Sequence, residues 1–159
     1  MPALSKVKVN RSANALSIQL PGDGSYLAHI REFIVDLARR IGFPEEEIAR
    51  IEMAVDEACA NVVEHAYSAD KQWHLQHRDP EIRLAIHATD DRFVIEINDH
   101  GQRFDFAAYQ PANVQAHAHN MQTGGYGIAI MRQFMDEVTF SSSDATGNTL
   151  RLVKYLKKT

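Results

Sequence analysis

The sequence predicts an α+β fold, a two-layer α/β sandwich with its helices packed on one face of a sheet. Segments in which apolar and polar residues alternate predict β-hairpins, and others show the 3.6-residue periodicity of amphipathic helices. Their order along the 159-residue chain is strands, two helices, a hairpin, a long irregular segment, a helix and two strands. Because strands and helices do not alternate one by one, we expect the helices on a single sheet face, in one domain spanning 1–159.

The first elements are a strand pair within residues 1–24 and two helices. Apolar residues alternate on both sides of a polar turn at residues 10–14, which indicates a hairpin. Ser25 is a candidate N-cap for the first helix, and Gly42 ends that helix. The second helix carries three glutamates in its first turn, where carboxylates favour the helix dipole, and should run to about Tyr67.

The second half of the chain combines a hairpin, a lid and a helix before its last strands. A polar loop over residues 68–80 leads to a hairpin that turns at residues 90–92. Periodicity then disappears until Thr123, and an irregular segment of this length is typical of a functional lid. Glycines from Gly124 to Gly127 open a third helix. The last two strands are expected near Val138 to Ser142 and Thr149 to Tyr155.

Composition excludes some classes of protein. The formal net charge of −4 and the pI near 6.0 disfavour a general nucleic-acid binder, which usually presents a basic surface. Cys59 is the only cysteine, so an intramolecular disulfide is excluded. The N-terminal residues lack the apolar core of a signal peptide, and no stretch approaches the roughly 20 apolar residues of a membrane span. We therefore expect a soluble, cytoplasmic protein.

Two polar residues of the second helix are candidates for chemistry. Glu57 and Asn61, with His65 after them, are spaced i, i+4 and i+8, so they form a row along the edge of the apolar stripe. Side-chain oxygens in such a row can hold Mg²⁺, which keeps several waters and phosphates as its other ligands. The alternative is that both are solvated boundary residues, and their spacing alone favours that interpretation.

Two further segments have the same kind of ambiguity. Asp99 ends a strand two residues before Gly101, so its carboxylate either accepts a hydrogen bond from an amino group, such as that of adenine, or caps its own backbone. The glycine-rich segment ends at the start of a helix, where free amides bind anions. It does not match the Walker pattern, and a plain glycine-rich connection is equally compatible with it.

Together these segments resemble a known superfamily. DEACANVVEHAY, NDHGQRFD, GGYGIAIMRQFMDEV and GNTLRLVKY, in this order and spacing, are similar to the conserved boxes of the GHKL (Bergerat-fold) ATPases. The similarity is greatest to the anti-sigma-factor serine kinases of bacterial stress and sporulation control, and it extends over residues 25–157. It implies a Bergerat-type sandwich with a mixed, mostly antiparallel sheet.

The resemblance also implies a role for each site residue. Asn61 would be the Mg²⁺ ligand, and Glu57 the general base that deprotonates the attacking hydroxyl. Asp99 would bind the adenine amino group of ATP, with Gly101 giving the backbone room to approach, and Thr149 would lie beside both. Residues 102–123 would be the ATP lid. The glycines that hold the phosphates would be Gly124, Gly125 and Gly127.

The implied function is phosphorylation of a serine on a small anti-sigma-factor antagonist, combined with sequestration of a sigma factor, by a homodimer that contacts neither nucleic acid nor membrane. Two alternatives are an ATP-binding partner-switch module without kinase activity and a histidine-kinase-type catalytic domain. The second is disfavoured because no helix pair with a phospho-acceptor histidine precedes the ATP-binding portion. Two departures from the family pattern are Asn148, where threonine is common, and the long insertion at residues 68–80.

Overall fold

The computed structural model forms one α+β sandwich. Its strands are β1 (Lys8–Ser12), β2 (Ala15–Pro21), β3 (Glu81–Ala88), β4 (Arg92–Asp99), β5 (Glu137–Ser143) and β6 (Gly147–Tyr155). Its helices are α1 (Leu27–Ile41), α2 (Glu45–Asn61) with a π-helical continuation at Val62–Tyr67, and α3 (Gly124–Phe134). The structure describes residues 8–12, 15–22, 24–67, 81–101, 103 and 124–157.

The six strands form a single sheet in the order β1-β2-β3-β4-β6-β5. All five pairings between the described strands are antiparallel, which confirms the expected α+β sandwich with a mostly antiparallel sheet; no parallel pair occurs among these strands. Three pairs, β1 with β2, β3 with β4 and β5 with β6, are hairpins whose strands are joined by a short connection. The other two pairs, β2 with β3 and β4 with β6, have further helices or strands between their members. Helices α1 and α2 are inserted between the first of these pairs, and α3 and β5 between the second.

The core lies between the helices and one face of the sheet. Alternate residues of β3 and β4, such as Leu84 and Ile95, are fully buried on this face. They pack in one cluster with Ile34 of α1, Ile51 of α2 and Met131 of α3. Burial of such side chains contributes roughly 1.5–3 kcal/mol each, so the strand alternation and the helix stripes together fix which face of the sheet is covered. The other face carries mainly polar side chains.

The helix ends agree with the sequence prediction except at two points. Gly42 adopts φ 106° and its N–H bonds to the carbonyls of Ala38 and Arg39, which ends α1 as expected. The N-cap of α1, however, is Tyr26 rather than Ser25, and its side chain makes no capping bond. The second helix does continue to Tyr67, but its last six residues are π-helical.

Several sequence predictions fall outside the described residues. They concern the loop at residues 68–80 and, apart from Arg103, the lid at residues 102–123. Among the helices in the described ranges, none combines the length and apolar character that a membrane span requires.

Candidate nucleotide site

Glu57 and Asn61 meet the first turn of α3 at Gly127. A β-carbon built on Gly127 would lie 2.6 Å from Glu57 Oε2 and 3.5 Å from both side-chain polar atoms of Asn61. The first distance is shorter than real β-carbons show, so any other residue at position 127 would force the Glu57 carboxylate to move away from its present place. The expected Glu–Asn row therefore lies under the glycine-rich segment, not in open solvent, although both side chains remain partly exposed.

The antiparallel packing of α2 against α3 creates this contact. Gly127 is near the start of α3, and its neighbours Glu57 and Asn61 are near the end of α2. At the opposite end of the pair, Lys154 of β6 donates to the Phe134 carbonyl at 2.8 Å and lies 2.6 Å from Glu47 Oε2. One buried ammonium thus joins the start of α2 to the end of α3.

This ion pair changes the titration of Glu47. The hydrogen bond from Lys154 lowers the pKa of Glu47 below its usual value of 4.5, against the opposing effect of burial. The Lys154 side chain is only 9% exposed and Glu47 26%. Sequence inspection missed Lys154. From the sequence alone, a lysine at an inward-facing position of a strand cannot be distinguished from a lysine at which the strand ends.

Asp99 is the buried acid of the site. It lies at the end of β4, on the face of the sheet that the helices cover, and is only 5% exposed. Its Oδ1 accepts from the Gly101 backbone N–H at 2.8 Å and from Asn148 Nδ2 at 2.9 Å. Burial raises the pKa of Asp99, and these two donors and the charge of His100 lower it in part. Asp99 does cap its own backbone, but through one oxygen only.

The turn between β5 and β6 brings Asn148 to Asp99. Gly147 adopts φ 75°, and a β-carbon there would collide with the Asp99 carbonyl oxygen, so this close approach requires glycine. Asn148 is directly opposite Asp99 in the β4–β6 register and is buried. Its Oδ1 accepts from Ser142 Oγ at 2.8 Å.

The structure does not place the side chain of Thr149 beside Asp99, and this expectation is wrong by one residue. Thr149 is opposite Asn98, and its hydroxyl accepts a 3.0 Å hydrogen bond from Asn98 Nδ2. Because neighbouring strand residues point to opposite faces, Thr149 lies on the polar face of the sheet. Asn148 occupies the position that the prediction gave to Thr149.

The donor set is compatible with Mg-ATP. Gly124 and Gly125 begin α3, so the N-terminal amides of this helix lie in the segment that contacts Glu57 and Asn61. Within the described residues, no group of three or more His, Cys, Asp or Glu side chains could hold a metal by itself. This is compatible with Mg²⁺, which takes one or two protein oxygens and completes its shell with water and phosphate.

Comparison with known proteins identifies the family. The sequence pattern of the histidine kinase-like ATPase domain matches residues 20–154, which is most of the chain and contains every site residue discussed above. The chain belongs to the histidine kinase-like ATPase family.

Curated members of this family cover nearly the same length. The chain is 30% identical over 152 residues to the serine-protein kinase RsbW of Bacillus subtilis (strain 168), spanning 93% of this chain and 89% of that one. It is 31% identical over 147 residues to the protein of the same name in Staphylococcus epidermidis, spanning 90% and 87%.

Proposed function

We propose that this histidine kinase-like ATPase is a Mg-ATP-dependent protein-serine kinase that also holds a sigma factor. The observation that carries the proposal is the meeting of Glu57, Asn61 and Gly127 at the junction of α2 and α3. It puts an acid and an amide beside the start of a helix, where phosphate groups are stabilised. The serine kinases named above support the choice of serine as acceptor.

The proposed site separates nucleotide binding from chemistry. Asp99 would accept a hydrogen bond from the adenine amino group, and Asn61 would supply a protein oxygen to Mg²⁺. The amides of Gly124, Gly125 and Gly127 would contact phosphate oxygens. Bound Mg²⁺ would neutralise charge on the phosphates, which is the main electrostatic requirement of phosphoryl transfer. The other contribution of the chain is orientation, since α2, α3 and the sheet are rigid elements of one core.

Glu57 would act on the acceptor. Its carboxylate would take the proton of a serine hydroxyl while the serine oxygen bonds to the γ-phosphorus of ATP. The bond from that phosphorus to the bridging oxygen breaks, and ADP leaves with the electron pair. The products are phosphoserine and ADP, with the proton on Glu57. General-base assistance of this kind typically contributes about 10²–10⁴ in rate.

The acceptor protein is proposed to be a small anti-sigma-factor antagonist, and the kinase to be a homodimer. The test is incubation with γ-labelled Mg-ATP and candidate antagonists encoded beside this gene, followed by mapping of the labelled residue. The proposal predicts label on a serine of one antagonist and none when Asn61→Ala replaces the wild-type kinase. Saturable ATP binding without any transfer would instead support the partner-switch module.

A further inference from the structure

Met53 is the most exposed large apolar side chain in the described part of the chain. It is 48% exposed, and among these residues only Tyr155, at 38%, is comparable. The other exposed residues of α2 are charged or small: Glu45, Glu46, Ala49, Asp56 and Ala60. Single exposed apolar side chains are common on protein surfaces, so the meaning of this one depends on its place relative to the site.

Met53 continues the row formed by Glu57 and Asn61. The three residues are four positions apart, so each lies about 6 Å further along α2 and about 40° around it. Glu57 therefore has Asn61 on one side and Met53 on the other. Of the three, Glu57 and Asn61 are the two that meet Gly127. Met53 extends the row beyond this contact with α3.

The direction of phosphoryl transfer places the acceptor on the Met53 side of Glu57. Because α3 is antiparallel to α2, Gly124 lies further toward the Asn61 end of the row than Gly127 does. The phosphates of the nucleotide are proposed to bind at that end. In an in-line displacement the attacking oxygen enters opposite the leaving oxygen of ADP. A serine whose hydroxyl reaches Glu57 therefore comes from the side that carries Met53.

The carboxylates near Met53 are directed toward α1. Nη1 of Arg31 on α1 donates to both carboxylate oxygens of Asp56, at 3.1 and 3.0 Å. Nε of the same arginine lies 3.6 Å from Glu52 Oε1. These ion pairs hold both acids on the α1 side of the helix. The surface next to Glu57 on the acceptor side is therefore apolar.

A second apolar residue borders this surface on α3. Ile130 follows Gly127 by three residues, so it lies on the same side of α3, one turn further along. Since the two helices are antiparallel, this turn lies alongside the turn of α2 that carries Met53. Ile130 is half-buried, so part of its side chain remains accessible.

We propose that Met53 is a docking residue for the protein acceptor and contacts an apolar side chain that the acceptor presents beside its serine. This inference rests on the proposed function, because it takes Glu57 as the base and a serine as the acceptor. The unbranched thioether of methionine adapts to the shape of a partner, which suits such a contact. Met53 touches neither nucleotide nor metal, so it acts on the choice of protein and not on the rate of the chemical step.

The test separates the KM for the acceptor from kcat. The acceptor is the antagonist protein that the wild-type kinase labels, titrated at saturating Mg-ATP. Met53→Gln keeps the length of the side chain but makes it polar, and should raise the KM for the acceptor about 10-fold. Its kcat should stay within about 2-fold of the wild type, since the lost contact exists before and during transfer. Met53→Leu remains apolar and should keep the KM within about 3-fold.

Tyr155→Gln is the matched control. It removes the other exposed large apolar side chain, which lies on the polar face of the sheet, and should leave the KM unchanged. The dissociation constant for Mg-ATP should be the same in all three variants. An unchanged KM in Met53→Gln, or a loss in kcat instead, would overturn the inference and leave the proposed function intact. A wild-type protein that labels no serine of any candidate antagonist would contradict the proposed function, and this inference with it.

Discussion

At the scale of single residues, the site depends on which oxygen or nitrogen faces which neighbour. Glu57 Oε2 is the atom nearest to the position that a β-carbon on Gly127 would occupy, at 2.6 Å. The side-chain nitrogen and oxygen of Asn61 are each 3.5 Å from that position. In the proposed function the two side chains have different tasks, since Asn61 serves the metal and Glu57 the acceptor hydroxyl. Substitutions at these positions should therefore affect different steps.

Glu57→Gln tests the division between binding and chemistry. Glutamine has the same shape but cannot accept the serine proton, so phosphoryl transfer should fall by about 10²–10⁴. The dissociation constant for Mg-ATP should change by less than about 3-fold, since the resemblance assigns the metal to Asn61. The measurements are single-turnover transfer and calorimetric titration.

Asp56→Asn is the matched control for Glu57→Gln. Asp56 is the preceding residue of the same helix, is exposed, and forms an ion pair with Arg31 at 3.0 Å. Exposed pairs contribute only about 0–1 kcal/mol, so this variant should fold and transfer phosphate like the wild type. Equal losses in the two variants would remove Glu57 from the mechanism.

At the scale of elements, α2 and α3 form an antiparallel pair fixed at both ends. Gly127 permits close contact at the end of the pair that carries Glu57 and Asn61. Lys154 joins the other end through Glu47 and the Phe134 carbonyl. The first contact should govern activity and the second stability, because only the first involves groups proposed to act on the nucleotide or acceptor.

Gly127→Ala should reduce activity without unfolding the protein. The new β-carbon would force Glu57 Oε2 to move from its 2.6 Å position, and a carboxylate at the end of a flexible side chain can move. Alanine is better than glycine by about 0.8–1 kcal/mol in a helix, which offsets part of the strain. We expect at least about a 10-fold loss of transfer, the scale of a misplaced catalytic group, with a melting temperature near that of the wild type. Wild-type transfer by this variant would show that the contact has no functional role.

Lys154→Met should destabilise the fold by about 1–3 kcal/mol, less than a fully buried pair because Glu47 is partly exposed. The pKa of Glu47 is depressed in the folded state, so its ion pair adds stability above pH 4.5 that is lost as pH falls through the folded pKa. Urea unfolding at neutral and acidic pH should therefore show a difference between wild type and variant that shrinks under acid. A constant difference across this range would mean that the ion pair contributes nothing.

Adding Glu47→Gln to Lys154→Met provides the control for this prediction. The double variant lacks the Glu47 carboxylate, which Lys154→Met leaves without its 2.6 Å partner, so it should recover part of the lost stability. Additive losses from the two changes would contradict an interaction between Lys154 and Glu47.

The sequence predicted helices and strands well where the regular spacing of apolar residues marks them. The alternation through Leu84 and Ile95 gave the strands, and Gly42 marked the end of α1, because both effects are local. The π-helical turn at Val62–Tyr67 has no such signal, since its residues continue the helical pattern of α2. Tyr26, and not Ser25, is the N-cap because its carbonyl accepts from the Ile30 N–H at the start of α1, while the Leu27 N–H bonds to the Gly24 carbonyl in the turn before it.

The candidate site was predictable as a set of residues but not as a set of contacts. Motif order indicated Glu57, Asn61 and Asp99, yet nothing local shows that Gly127 contacts the first two. The choice of Thr149 over Asn148 failed because strand register decides which of two neighbours faces the site, and a shift of one residue reverses the faces.

At the scale of the whole molecule, the burial of the Asp99 carboxylate lowers the stability of the folded state. Burial raises the pKa of this acid above its value of 3.8 in an unfolded chain. The folded state therefore binds the proton more tightly, and stability falls as pH rises from 3.8 through the folded pKa. Above that range an ionised, buried Asp99 costs stability, as expected of a residue kept for binding and not for folding.

The central claim is that this chain binds Mg-ATP through Asp99, and titration of the wild type and Asp99→Asn with Mg-ATP near neutral pH tests it most directly. The account predicts saturable binding by the wild type, with a dissociation constant of roughly 1 μM–1 mM. Asp99→Asn should bind about 10- to 100-fold more weakly. Because the variant removes a buried charge, it should melt no lower than the wild type. No saturable binding by the wild type, or equal affinity in a folded Asp99→Asn variant, would contradict the account.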